Sequence, residues 1–226
     1  MVTGTCGCVP ISGTVYGIAL DVDDPFGAPS DLFTMPPYNT APTAPVLFIK
    51  PRNTFLAHGG TTRLPSGLLE VEVSAALAVV FARTTRCVPS AQALDTIAGY
   101  TLALDLSEPG SDFFRPPIRE KCRDGFLPIG PHIVPRDEIA NLENVRISLE
   151  IDDEEVASFS VGGAASRFAT LIAEISDFMT FNGGDVLLIS RTSLGPQARV
   201  GSRISAIADG FSRLDCVLAR DEEVIL

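Results

Sequence analysis

Tryptophan is absent from the 226 residues, and histidine occurs only twice. The scarcity of histidine bears on metal chemistry. The Cys6-x-Cys8 pair could hold a soft cation only with two further ligands. The five cysteines, Cys6, Cys8, Cys87, Cys122 and Cys216, are odd in number and match no zinc spacing. Cys6 and Cys8 are therefore expected to form a frayed terminal pair. Long apolar runs are also missing, and none reaches the roughly 18 residues that a membrane-crossing helix needs. The opening MVTGTCGCVP lacks the basic and apolar regions of a secretory signal, so a cytoplasmic location is expected. Positive charge is in deficit, with 17 Lys and Arg against 28 Asp and Glu and a formal net charge of −11. Such a chain is repelled at long range by nucleic acid and by anionic membranes, and neither is an expected partner.

Acidic residues are missing locally. Between Leu32 and Leu69 there is none, while Lys50, Arg52 and Arg63 lie in that stretch. On an acidic protein this stretch either focuses a small anion or forms a solvated loop face. Apolar residues make up 46% and charged residues 20%, an ordinary balance that argues against extensive disorder. The length suffices for one sizeable undivided core.

Strands are predicted over 14–20, 46–50, 70–83, 100–106, 185–190, 203–208 and 214–218. Segment 21–45 is rich in Pro, Asp and Thr without a period, which predicts a loop or lid. Ser90 is a candidate cap for a short helix over 91–97. A hairpin is predicted from 145–151 and 156–161 around Asp152-Asp153-Glu154-Glu155. Phe168, Leu171, Ile172, Ile175, Phe178 and Met179 recur at helical spacing, with Gly183-Gly184 beyond, so a helix with an apolar core-facing stripe is expected near 165–180. The class is mostly β with few helices, as a rolled or sandwiched sheet.

Four segments then occur in a telling order. They are 46–54 (VLFIKPRNT), 77–106 (LAVVFARTTRCVPSAQALDTIAGYTLALDL), 121–131 (KCRDGFLPIGP) and 174–192 (EISDFMTFNGGDVLLISRT). In these the chain resembles the fumarylacetoacetate hydrolase family. The resemblance implies a mixed β-roll over 46–226, preceded by an N-terminal strand and lid segment over 1–45, and a homodimer. FIKPRNT and FFRPPIREKCRDGF (113–126) are most similar to the N-terminal half of the family's two-part isomerases/decarboxylases of bacterial 4-hydroxyphenylacetate breakdown. That branch implies a metal-bearing C-terminal subunit as partner. It also implies two reactions, decarboxylation of 5-oxopent-3-ene-1,2,5-tricarboxylate and isomerisation of 2-hydroxyhepta-2,4-diene-1,7-dioate.

Both reactions pass through an enolate whose oxygen must be stabilised. The resemblance implies Mg2+ or Mn2+ for this, held by Glu-x-Glu on one strand and Asp on the next. Here Ser74 and Ala76 fall on the two glutamate positions and only Asp105 is retained, so no tightly bound cofactor is expected. Glu70 and Glu72 have the right parity but lie four residues early, about 13 Å along an extended strand, and would need a register slip or bulge. Pro25 and Ala28 fall on the lid histidine and its glutamate partner, which disfavours water-driven hydrolysis. Loop 107–112 puts Pro109 and Asp112 on the family's Arg and Gln. Lys121 and Thr192 match the remaining pocket residues.

The candidate catalytic residues are Lys121, Asp105 and Asp124. Arg52, Arg115, Arg123 and Thr192 are candidates for binding a di- or tricarboxylate, for which bidentate arginines are suited. Other roles stay open at this point. Arg123 and Asp124 could form a structural ion pair, and Lys121 could replace a missing metal charge. His58 and His132 match no family site and are expected in loops. Three functions follow: an N-terminal subunit of the two-part enzyme, a metal-independent isomerase acting alone, and a non-catalytic scaffold on the same fold.

Overall fold

Continuous apolar runs and short β-branched segments build two sheets in the computed structural model. It describes residues 9–20, 36, 40, 42–110, 117–139, 141–162, 165–190 and 195–221. Cys6, Cys8, segment 21–25, Ala28, Asp112, Arg115 and Thr192 lie outside the described residues.

The larger sheet contains β1 (Val15–Leu20), β2 (Val46–Lys50), β3 (Phe55–Ala57), β5 (Glu70–Phe81), β6 (Ile97–Ser107), β7 (Leu127–Ile129) and β11 (Val186–Ser190). Its order is β2-β1-β11-β5-β6-β7-β3. The short strands β8 (Val134–Pro135) and β12 (Gln197–Arg199) pair with β6 and β5. The smaller sheet runs β10 (Glu154–Ser160), β9 (Arg146–Ile151), β13 (Arg203–Ala208), β14 (Leu214–Arg220) and β4 (Thr61–Leu64). Three α-helices accompany them among the described residues: α1 (Ser90–Ala93), α2 (Ile118–Lys121) and α3 (Ala165–Phe178). None of these is long and apolar enough to cross a membrane. The mostly β class with few helices is as expected.

Side chains alternate across a strand, and β5 uses both faces. Val71, Val73, Leu77, Val79 and Phe81 enter the main core, together with residues of the smaller sheet and of α3. Ala76, Ala78 and Val80 enter a second core with Val15, Ala103, Val186 and Leu188. A strand buried on both faces reads as one apolar run, which is why 70–83 was legible. The register of β5 on β6 is regular from Glu72↔Ser107 through Ser74↔Asp105 and Ala76↔Ala103, with an irregularity only between Val80 and Phe81. No slip therefore brings Glu70 or Glu72 opposite Asp105.

Three local expectations are corrected. Pro89, in extended backbone, occupies the cap position, Ser90 is already helical, and a 3-10 turn over Leu94–Thr96 follows Ala93. In the hairpin, Glu154 and Glu155 belong to β10. The turn is Asp152-Asp153 alone, with φ of 52° and 69°, a left-handed pair that Asp tolerates. On α3, Phe168, Leu171, Ile172 and Ile175 are buried as expected, whereas Phe178 is 63% exposed.

Candidate functional site

The second core ends in charge. Lys50 closes β2, and its pairing with Val15 turns it onto the same face as that core. It is fully buried. Its Nζ donates to the backbone oxygens of Leu106 (2.8 Å), Lys121 (2.8 Å) and Phe126 (3.1 Å), and lies 2.6 Å from Asp105 Oδ1. Four acceptors thus compete for three ammonium protons. The carbonyls take the protons, so Oδ1 has an ion pair but no hydrogen bond, the one such orphaned side-chain oxygen among the described residues.

Asp105 stands on β6 directly across from Ser74. Its other oxygen, Oδ2, accepts from Lys121 Nζ at 2.7 Å. Lys121 is the last residue of α2, a single turn that follows Pro117, and this turn points it inward. Its ammonium also lies 4.4 Å from the centre of the Phe48 ring, a cation–π contact. Gly17 makes that placement possible. A Cβ there would meet the Phe48 ring at 2.1 Å, so only glycine lets the ring lie over β1.

Two lysines and one aspartate form a buried cluster with one positive charge in excess. Burial alone would raise the Asp105 carboxyl, but Lys121 and Lys50 outweigh it and hold the group below its ordinary value. Burial pulls Lys50 down to about 8, against the opposing pull of Asp105. The Cys122 thiol, whose Sγ donates to Ile49 O, is raised chiefly by burial.

The other candidates are placed differently. Arg123 pairs with Glu108, not with Asp124. Asp124 accepts from Asn53 Nδ2 at 2.7 Å. Arg52 is exposed on the 3-10 turn after Pro51. His58 lies in the turn after β3, where Nδ1 accepts from Asp215 N, and His132 lies in the loop after β7. Lys121 and Asp105 therefore meet, and Lys50, which was not among the candidate site residues, joins them. One signal for Lys50 was available, because Lys50 and Lys121 are the only two lysines in the chain. Arginine serves every other basic position.

The donor set does not suit a divalent ion. Ser74 and Ala76 bring no charge. Glu70 faces Arg199 at 3.7 Å, and Glu72 accepts from Gly110 N. No group of three Asp, Glu, His or Cys converges among the described residues. The orphaned Oδ1 faces the Lys50 ammonium 2.6 Å away. A cavity of about 390 Å3 lies between β5 and the β9–β10 hairpin, lined by Val73, Ser74, Ala75, Leu149, Val156 and Phe159. It contains none of the three charged groups.

The family described as fumarylacetoacetate (FAA) hydrolase C-terminal matches residues 15–216. The chain is 35% identical over 213 residues to the 4-hydroxyphenylacetate degradation bifunctional isomerase/decarboxylase of Salmonella dublin, covering 94% of this chain and 48% of that protein. It thus spans about half the length of that relative. It is also 33% identical over 182 residues to the mitochondrial oxaloacetate tautomerase FAHD2 of Oryza sativa subsp. japonica, covering 76% of this chain and 80% of the relative. Among solved structures, the 2-hydroxyhepta-2,4-diene-1,7-dioate isomerase of Mycobacterium marinum shares the fold at a TM-score of 0.73 and 23% identity, over 95% of this chain and 78% of that one.

Proposed function

The chain belongs to the fumarylacetoacetate hydrolase family, and we propose that it is the N-terminal part of a two-part isomerase/decarboxylase of 4-hydroxyphenylacetate breakdown. The observation that carries this reading is the match along 94% of the chain to 48% of the Salmonella isomerase/decarboxylase. In this reading the chain works in the cytoplasm as a homodimer and joins a metal-bearing C-terminal subunit, which supplies Mg2+ or Mn2+ as Lewis acid. Its substrates are the 2-oxo and 2-hydroxy-dienoate di- and tricarboxylates of that route.

The charge of the site supports an anionic substrate. An excess buried positive charge favours a carboxylate or an enolate oxygen. Lys121 would stabilise that oxygen, and Asp105 would hold Lys121 in place and exchange protons with it. Asp124 is a second candidate base. Arg52, Arg115 and Thr192 would bind the remote carboxylates, whereas Arg123, which pairs with Glu108, would not. Hydrolysis is disfavoured because, in the sequence match, Pro25 and Ala28 replace the family's lid histidine and its glutamate partner, the pair that orients water.

A second reading is favoured by one contact, the buried Lys121–Asp105 pair at 2.7 Å. It could move a proton between carbon atoms without metal, making the chain an isomerase by itself. The test is turnover of 2-hydroxyhepta-2,4-diene-1,7-dioate by the purified chain alone, with Mg2+, and mixed with the metal-bearing subunit, alongside light scattering. Turnover that rises on mixing, with a larger particle, is expected. Turnover by the chain alone would favour the second reading. No turnover in any arm and no complex would overturn both and leave a scaffold.

A further inference from the structure

Lys121 reaches Asp105 from the end of a single helical turn. We infer that Asn53 is a positioning residue for the proposed reaction, clamping the turn that follows Lys121 and so fixing where its ammonium stands. The inference rests on the reading above only in taking Lys121 as a residue of the substrate site.

α2 has 4 residues, far fewer than the roughly 12–15 that an isolated helix needs to be even marginal. The Lys121 side chain is itself a flexible stem, so its ammonium goes where the backbone is held. Part of that hold comes from the turn after β2. Thr54, fully buried, locks the 3-10 turn Arg52–Thr54 by donating from Oγ1 (2.7 Å) and N (2.9 Å) to Pro51 O. Asn53, in the middle of that turn, then bonds the segment after Lys121. Its Nδ2 donates to Cys122 O (2.9 Å) and to Asp124 Oδ1 (2.7 Å), and its backbone oxygen accepts from Gly125 N (3.0 Å).

These contacts bracket the whole turn from Cys122 to Gly125. Gly125, with φ of 71°, closes it in the left-handed region that glycine tolerates, and its oxygen accepts from Thr62 Oγ1 at 2.8 Å. The amide suits position 53. A carbonyl and a carboxylate oxygen converge on it, and an amide nitrogen carries two protons, one for each. A carboxylate there could donate to neither. Asn53 and Asp124 are both exposed, so the clamp adds no packing to either core. Its effect is expected in the place of Lys121 more than in the stability of the chain.

The Phe48 ring, 4.4 Å from the Lys121 ammonium, supplies the readout. Its ring current displaces the signals of the protons on Lys121 Cε from those of free lysine. Lysine labelled with 13C at Cε, incorporated into the untagged chain, gives two such signals, one from each lysine, and Lys121→Met assigns them. In Asn53→Ala the Lys121 signal is expected to return most of the way toward free lysine, while Lys50, held also by Leu106 O, moves less. Asp124→Asn keeps an acceptor oxygen for Asn53 and loses only the charge, so there the Lys121 signal is expected to stay. A wild-type Lys121 signal in folded Asn53→Ala overturns the inference, and so does an equal displacement in Asp124→Asn. Cooperative melting followed by circular dichroism establishes that each variant is folded. If Asn53→Ala is not, Asp124→Ala, which removes one of the bonded partners, is read in its place against the same two outcomes. Turnover is not read. A wild-type chain that is inactive, with its Lys121 signal displaced by the ring and released in Asn53→Ala, would count against the proposed function and leave this inference standing.

Discussion

Replacing Lys50 by Met keeps the length of the side chain and removes its protons and charge. The remaining Asp105 and Lys121 balance one to one, so the loss does not come chiefly from an unpaired charge. It comes from the carbonyls. Phe126 O keeps the Leu106 N–H at 3.1 Å. Leu106 thus turns its backbone toward Phe126 and away from β5, and its own oxygen loses its donor with Lys50. Lys121 O ends α2, and the N–H four residues on, from Gly125, is committed to Asn53 O. Two buried acceptors are left bare, at about 1–3 kcal/mol each, or about 2–6 kcal/mol together. For a domain of roughly 150–250 residues each kcal/mol moves the melting temperature by about 2–4 °C, so Lys50→Met should melt at least about 4 °C lower. Arg52→Met, at an exposed turn, should change stability by no more than about 0.5 kcal/mol. Thermal unfolding followed by circular dichroism at pH 7 measures both. Equal melting of Lys50→Met and wild type would refute the account of Lys50 as a locked ammonium.

Other outcomes follow from the same contacts. Lys50 is lowered from 10.5 to about 8 in the folded chain, so the penalty on its charged form is full below about pH 8 and is relieved as the pH rises toward 10.5. Because the unfolded chain holds the proton longer in that window, wild-type stability should rise there relative to Lys50→Met, by roughly 3 kcal/mol; denaturant titrations showing no divergence would contradict it. Lys121→Met should weaken dicarboxylate binding by about ten- to a hundredfold in calorimetry, while Arg123→Met, whose partner is Glu108, should leave affinity intact and alter only stability. An unchanged affinity in Lys121→Met would remove Lys121 from the site. Gly17→Ala sets a methyl group against the Phe48 ring and should cost about 1–3 kcal/mol by overpacking; melting like wild type would show that the ring has room to move. Cys216, fully buried with its thiol pushed up to about 12, should resist iodoacetamide until the chain unfolds, whereas exposed Cys87 should react in the native state. Alkylation of native Cys216, read by peptide mass, would show that the main core opens.

Much of the fold was legible because its longest elements carry unambiguous patterns. The doubly buried β5 reads as one apolar run, and α3 repeats Phe168, Leu171, Ile172 and Ile175 on one face. The strands that escaped notice are short. β3, β7, β8 and β12 have two or three residues each, and β4 has four, so no period can be seen in them. They are fixed by long-range pairing, as when Phe55 meets Leu127, or Val217 meets Thr61. Phe178 was misread for a related reason. Helical spacing marks a face, but what covers its last turn is decided by packing that no local pattern reports.

The site was half legible, and the missing half turns on one residue. Asp105 and Lys121 are found by matching segments. Lys50 lies inside a matched segment too, but in sequence it looks like one more cation in an acid-free stretch. Its role depends on Leu106, Lys121 and Phe126, which are 56, 71 and 76 residues away. The choice of lysine at this point has a physical reason. A compact ammonium offers three protons in three directions, and three carbonyls converge on it here. A planar guanidinium could not place its donors on three carbonyls arranged around a point, and it would carry its charge further from Asp105. Arginine fills all 15 remaining basic positions in the chain, most of them exposed or half-buried where described. Restriction of lysine to the two places where an ammonium meets Asp105 therefore follows from the geometry of the charge it must hold.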